Sequence, residues 1–85
     1  MYTIEWLPKA YKQLRKIKDR KMANFIYDTV ETLQNWPDCK NVKALVNHNY
    51  GYRLRVGAWR VFFDIKQHLE IIEIEEVKKR DEHAY

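Results

Sequence analysis

The sequence contains few of the residues that define several classes of protein. Its 85 residues include one cysteine, two glycines and two prolines. The single Cys39 cannot form an internal disulfide, which suits a reducing cytosol, and with three scattered histidines it cannot complete a structural zinc site. The low glycine and proline content excludes collagen-like and low-complexity chains. The sequence therefore predicts a protein without disulfides, bound metal or cofactor.

Long apolar runs and targeting features are also missing. No apolar run approaches the roughly 20 residues that span a bilayer, and the N-terminus lacks the basic and apolar regions of a secretory signal. We therefore expect a cytoplasmic protein with no membrane association. Hydrophobic residues make up 46% of the chain and charged residues 33%, which excludes a disordered chain. The length allows a single domain over residues 1–85.

The N-terminal half changes from a strand pattern to a helix pattern. Residues 2–7 alternate between apolar and polar side chains, which predicts a strand. Pro8 suits the first turn of a helix, where its missing N–H costs nothing. A second amphipathic helix follows a change of register near Asp19 and ends before Pro37. Residues 40–50 are interpreted as a loop, with a short extended piece at 42–46 as one option.

The C-terminal half returns to strand periodicity after Gly51. Gly57 and Ala58 suit a two-residue hairpin turn of type II′, and Gln67 and His68 form a second predicted turn before a strand at residues 69–77. Two short turns in succession require an antiparallel meander. The predicted fold is α+β: two N-terminal helices packed on a four-stranded, mainly antiparallel sheet, followed by a short C-terminal tail.

The net charge of +4 is concentrated in patches. One basic patch runs along the first helix, where it is either a solvated face or a nucleic-acid contact. Arg53, Arg55 and Arg60 alternate with apolar residues, so we expect them to converge on the sheet face that the helices leave uncovered. Neighbouring like charges repel unless an anion relieves them, which favours an anion site over an ordinary solvated face.

The C-terminal run from Lys78 to Tyr85 combines cations, a histidine and a tyrosine. Histidine exchanges protons near neutral pH, tyrosine stacks on bases, and arginine binds phosphate in a bidentate manner. These groups are sufficient to cleave RNA without a metal, although the same residues also fit a frayed tail. The chain contains no GxSxG, P-loop or HExxH motif. Cys39, His48 and His68 are interpreted as loop residues without a chemical role.

Over essentially its whole length the chain resembles the RelE/ParE superfamily of bacterial toxins. The YRLRVG…WRV hairpin at residues 52–61 and the KRDE…Y ending at residues 79–85 are the most specific features. The strand that leads into Pro8-Lys9-Ala10 and the segment Val42-Lys43-Ala44-Leu45 also match.

The resemblance implies the toxin of a type II toxin–antitoxin pair, with a cognate antitoxin as partner. RelE-like members cleave messenger RNA in the ribosomal A site without a metal, so the mRNA and the ribosome are further implied partners. ParE-like members instead poison DNA gyrase and lack the combination of basic residues and a C-terminal tyrosine. A non-catalytic RNA-binding module is the third alternative.

The resemblance also assigns roles to individual residues. Because arginine stays protonated in proteins, neither Arg53 nor Arg55 can serve as the general base, which leaves Tyr85 or His83 for that role. The implied catalytic residues are Arg60, Arg80, His83 and Tyr85, and the implied RNA-binding residues are Lys43, Arg53, Arg55, Lys78 and Lys79.

Overall fold

A computed structural model describes residues 1–80 of the chain. Its regular elements are β1 (Thr3–Trp6), α1 (Pro8–Arg15), α2 (Arg20–Glu31), β2 (Val42–Ala44), β3 (Tyr52–Val56), β4 (Trp59–Lys66) and β5 (Ile71–Lys79), with short 3-10 helices at Thr32–Asn35 and Gln67–Leu69.

Local signals explain where the two helices begin. Pro8 occupies the first position of α1, as its fixed φ favours. The side chain of Asp19 caps α2 by accepting a hydrogen bond from the Met22 N–H at 3.1 Å. The predicted change of register near Asp19 is therefore the boundary between the two helices.

The strands form one mixed sheet in the order β1-β5-β4-β3-β2. Three of its strand pairs are antiparallel, and β1 lies parallel to β5 at one edge. The α+β class is confirmed, but the sheet has five strands rather than the four expected. The additional strand is β2, where Val42 lies opposite Leu54 and Ala44 opposite Tyr52. Three residues are too few to show the alternation of a strand. The segment becomes a strand because it pairs with the edge of β3 that β4 leaves free.

One face of the sheet packs against both helices and forms the core. Leu54, Val56, Val61 and Phe63 point to this face and are at most 2% exposed, which confirms the predicted phase of the two strands. The helices contribute the small and branched residues that meet them, which are Ala10, Leu14, Ala23, Ile26 and Val30. Ile17, in the turn between the helices, joins the same core.

A glutamine side chain completes the edge of β5 where β1 stops. The Leu7 N–H donates to the Ile74 carbonyl oxygen at 3.0 Å, and Pro8 then turns the chain into α1. Farther along β5, the half-buried Gln13 places its Oε1 2.7 Å from the Val77 N–H. Gln13 thus replaces the backbone acceptor that β1 no longer supplies.

The opposite face of the sheet, here called the open face, is partly covered. Its residues on β3 and β4 include Arg53, Arg55, Arg60 and Phe62, as strand alternation requires. Phe62 is only 7% exposed because the loop between β2 and β3 crosses this face. The open face therefore also buries an apolar residue.

The connection between β4 and β5 is longer than the predicted two-residue turn. A short 3-10 helix is followed by Glu70 in the left-handed region, with φ of 53°. The last strand consequently begins at Ile71 and continues to Lys79, two residues later at each end than expected. A β-bulge opposite Phe62 and Phe63 also interrupts the register with β5.

Candidate functional site

A row of cations crosses three neighbouring strands of the open face. Arg55 on β3 lies directly opposite Arg60 on β4, and Arg60 lies directly opposite Lys78 on β5. Side chains at directly paired positions share a face and lie within about 5.5 Å of each other at their Cβ atoms. The central Arg60 therefore has a cationic neighbour on each side.

The arginines line a shallow depression of about 180 Å³ beside the β3–β4 hairpin. Gly57 has a φ of 59° and Ala58 has no positive φ, which is the pattern of the predicted type II′ turn. The Arg80 N–H donates to the Ala58 carbonyl oxygen at 2.7 Å, which holds Arg80 next to the hairpin. The lining residues, here called the arginine depression, are Arg53, Arg55, Gly57, Ala58, Trp59, Arg60 and Arg80.

No carboxylate of residues 1–80 forms an ion pair with these arginines. The ion pairs in that part of the chain join Lys9 to Glu76 at 3.5 Å and Lys66 to Glu73 at 3.7 Å. Arg53 Nε is buried and has no hydrogen-bond partner in the described structure. Four arginines that line one depression with no carboxylate partner in the described part of the chain favour a bound anion, and the planar donors of arginine match the geometry of phosphate.

The far end of the open face is acidic. Asp64 lies four residues from Arg60 on β4, about 13 Å along the strand. It faces Glu73 on β5 and accepts a hydrogen bond from the Gly51 N–H at 2.7 Å. Burial and the neighbouring Asp64 raise the pKa of Glu75 above its ordinary value. An anionic ligand is therefore attracted to the hairpin end of the face and repelled from the other end.

The structure brings most of the predicted site residues together. Lys78 lies beside Arg60, and Lys43 on β2 lies directly opposite Arg53. Lys79 pairs with Trp59 and so points to the other face of the sheet, because adjacent strand residues alternate. Of the remaining residues, Arg53, Arg55, Arg60 and Arg80 line the arginine depression, and His83 and Tyr85 lie outside the described residues.

Two aromatic residues beside this site were not predicted from the sequence. His48 and Tyr50 lie over Phe62, with ring centroids 5.1 Å and 5.7 Å from its centre. The sequence feature that could have indicated them is Phe62, a large apolar residue that alternation places on the same sheet face as Arg60 and Asp64. Such a residue requires a cover on the face opposite the helices.

The sequence interpretation of Cys39 as a loop residue without a chemical role agrees with its surroundings. Its Sγ lies 3.8 Å from the Thr32 carbonyl oxygen, to which it can donate. Burial, followed by the charge of Asp38, raises the pKa of the thiol. The thiol therefore stays protonated near neutral pH, which makes it a poor nucleophile.

Neither a membrane span nor a cluster of metal ligands occurs in the described part of the chain. None of the helices within residues 1–80 is long and apolar enough to cross a bilayer. In the same range, no three His, Cys, Asp or Glu side chains group closely enough to hold a metal ion.

Comparison with known proteins identifies both a family and a fold. The family described as the ParE toxin of type II toxin-antitoxin system, parDE, matches residues 4–84. No curated protein sequence matches the chain.

Solved structures share the fold at low sequence identity. A chain of the RelBE2 toxin–antitoxin complex from Mycobacterium tuberculosis superposes with a TM-score of 0.78 at 20% identity, covering 93% of this chain and 98% of that one. The isolated E. coli RelE toxin gives 0.79 at 13% identity, with coverages of 99% and 89%. The YoeB–YefM complex from Staphylococcus aureus gives 0.68 at 16% identity, with coverages of 95% and 99%.

Proposed function

This chain belongs to the ParE toxin family of type II toxin–antitoxin systems, within the RelE/ParE superfamily, and from that premise we propose that it cleaves messenger RNA on the ribosome and so inhibits translation. The observation that carries the proposal is the arginine depression, which is lined by four arginines that form no ion pair with a carboxylate of residues 1–80. A phosphodiester is the anion that such a planar, multiply charged site fits best.

The proposed reaction is an attack by the RNA on its own backbone. The 2′-oxygen attacks the adjacent phosphorus as its proton leaves, the bond from phosphorus to the 5′-oxygen breaks, and the 5′-oxygen is protonated as it departs. The products are a cyclic phosphate and a free 5′-hydroxyl. No metal is required, provided that cationic donors stabilise the charge on the phosphorane and an acid and a base move the protons.

The residues divide between these tasks. Arg60, at the centre of the cationic row, and Arg80, fixed at the hairpin, neutralise the scissile phosphate. Arg53 and Arg55 hold the adjoining backbone, and Lys43 and Lys78 extend the cationic surface on either side. The tail residues His83 and Tyr85 remain the proposed proton-transfer groups. Lys79, on the other sheet face, fits a contact with RNA outside the cleavage site.

Inhibition of DNA gyrase is the second candidate, favoured by the match to the ParE toxin family. Members of the superfamily that poison gyrase lack the basic residues and the C-terminal tyrosine that the RNA-cleaving members use. This chain has Arg60 and Arg80 in the arginine depression and a tyrosine, Tyr85, five residues after Arg80. RNA cleavage therefore accounts for more of its residues.

A cognate antitoxin is the proposed protein partner. Several of the matching solved structures are toxin–antitoxin complexes. The two helices of this chain carry a basic surface, and Tyr11, Phe25 and Tyr27 are between 42% and 56% exposed on them. An acidic, amphipathic segment would complement both features. Its association with the toxin should be faster at low salt, because added salt screens the long-range attraction between the two charged surfaces.

Cleavage on purified ribosomes tests the proposed function. The parent protein should cut an mRNA within the A-site codon, and Arg60→Gln should slow the cut about 100-fold or more, as for loss of one preorganised donor. Lys66→Gln is the matched control, since Lys66 lies on the same strand and face but pairs with Glu73 at the acidic end. A parent protein that inhibits gyrase supercoiling and leaves the mRNA intact would contradict the proposal.

A further inference from the structure

The loop between β2 and β3 crosses the open face next to the arginine depression, and the proposed mechanism does not use it. The Leu45 N–H closes the loop by donating to the Gly51 carbonyl oxygen at 2.9 Å, and the Gly51 N–H donates to Asp64 Oδ1 at 2.7 Å. Within the loop, the Tyr50 N–H donates to His48 Nδ1 at 3.1 Å. These bonds fix the imidazole in one orientation over the sheet.

The loop builds a three-ring cluster of His48, Tyr50 and Phe62, here called the aromatic ledge. The His48 ring lies nearly parallel to Phe62, with planes 14° apart and centroids separated by 5.1 Å. Tyr50 lies 5.7 Å from Phe62 and 5.9 Å from His48, so it flanks this stack. A ring stacked on the outer face of His48 would lie about twice as far from Phe62 as His48 does, so Tyr50 does not cover that face. Phe62 is buried and His48 is exposed, so the outer face of the imidazole is open among residues 1–80.

The aromatic ledge borders the arginine depression directly. Phe62 lies opposite Arg53, a lining residue whose Nε is buried without a partner in the described structure. Along β4, Phe62 is two residues from Arg60 on the same face, which corresponds to about 7 Å. The aromatic ledge is therefore within reach of a nucleotide next to a phosphate that the arginines bind.

We propose that the outer face of His48 stacks on a base of the bound RNA and that the aromatic ledge is a base-binding subsite beside the cut. The proposal rests on the proposed function, because it takes single-stranded RNA as the ligand of the arginine depression. Unpaired bases stack on histidine and on other aromatic side chains, and one such stack changes affinity by about 5- to 150-fold. Stacking accepts every base, so the subsite gives at most a modest preference for the larger purines.

Fluorescence of a stacked base analogue tests the subsite. The probe is a short single-stranded 2′-O-methyl RNA that carries 2-aminopurine at each position in turn; the methyl group prevents cleavage, and stacking quenches 2-aminopurine. The parent should bind and quench the analogue at one position. His48→Ala should lose this quenching and bind about 5- to 150-fold more weakly, and His48→Phe should retain both properties. His68→Ala, in the exposed turn after β4, is the matched control and should behave as the parent.

The outcomes separate the subsite from the proposed function. Absence of quenching by the parent at every position, or equal quenching by His48→Ala, overturns the subsite. Should His48→Ala fail to fold by circular dichroism, His48→Gln replaces it as the variant without a ring, with the same expected loss. Quenching that requires the ring, from a parent that cuts no mRNA on ribosomes, supports the subsite and refutes the proposed cleavage. Ribosomal cleavage by a parent that never quenches the analogue supports the cleavage and refutes the subsite.

Discussion

Replacing Arg60 with glutamine is expected to inactivate the toxin and, at low salt, to stabilise its fold. Arg60 lies directly opposite Arg55 and directly opposite Lys78. Each like-charge pair across a strand costs about 0.2–1 kcal/mol, so removing the shared charge relieves about 0.4–2 kcal/mol. Glutamine has one methylene group fewer than arginine, and at a half-buried position the loss of its packing costs about 0.4 kcal/mol. The expected net gain is about 1 kcal/mol.

Thermal unfolding at two salt concentrations measures this effect. In a domain of this size, about 1 kcal/mol corresponds to a rise in Tm of about 4–8 °C at about 0.01 M salt. At about 1 M salt the Debye length falls to about 3 Å, the repulsion is screened, and the gain should disappear. The control Lys66→Gln should show the opposite sign, because it removes the ion pair with Glu73.

Either of two results would refute this reasoning. If Arg60→Gln lowers Tm at low salt by a similar amount, or if its effect does not change with salt, then Arg60 supports the fold. The arginine depression would then be a structural feature, and loss of cleavage in this variant would carry no information about the site.

Three further substitutions test the fold around the site. Phe63→Ala should cost about 3–5 kcal/mol in urea unfolding, because Phe63 is fully buried; an unchanged midpoint would contradict the strand phase. Gln13→Ala leaves the Val77 N–H without its acceptor and should cost about 1–3 kcal/mol, with faster hydrogen exchange at that amide. Burial and Asp64 raise the pKa of Glu75 above its ordinary value of 4.5 in the folded chain. The folded chain therefore binds the Glu75 proton more tightly than the unfolded chain does, and the free energy of unfolding falls as the pH rises from 4.5 to the pKa of the folded state. Glu75→Gln should therefore gain on the parent as the pH rises above 4.5, and a constant difference would contradict this linkage.

The main elements of the fold could be predicted because each carries its own periodicity. The alternation around Leu54 and Val61 fixed which face meets the helices, and Asp19 marked the helix boundary. The short β2 lies within the segment 42–46 that the sequence offered only as one extended option, and the bulge beside Phe62 could not be predicted. Both β2 and the bulge depend on pairing with a neighbouring strand, and the residues of the two segments show no pattern that indicates this pairing.

The candidate site was predictable to the extent that it lies on regular strands. Arg55 and Arg60 flank a tight hairpin, so alternation alone places them on one face. Lys78 and Lys79 could not be distinguished until the register of β5 was known. His48 was missed because the path of a loop across a sheet depends on tertiary contacts, here with Phe62.

The most direct test of RNA cleavage as the activity of this toxin is to map RNA ends in bacteria after a short pulse of its expression. Cleavage by this toxin should produce new 5′-hydroxyl ends within translated reading frames, in register with codons, and these ends should be lost in Arg60→Gln but not in Lys66→Gln. DNA breaks and induction of DNA repair, with messenger RNA intact, would contradict it and assign the protein to gyrase inhibition.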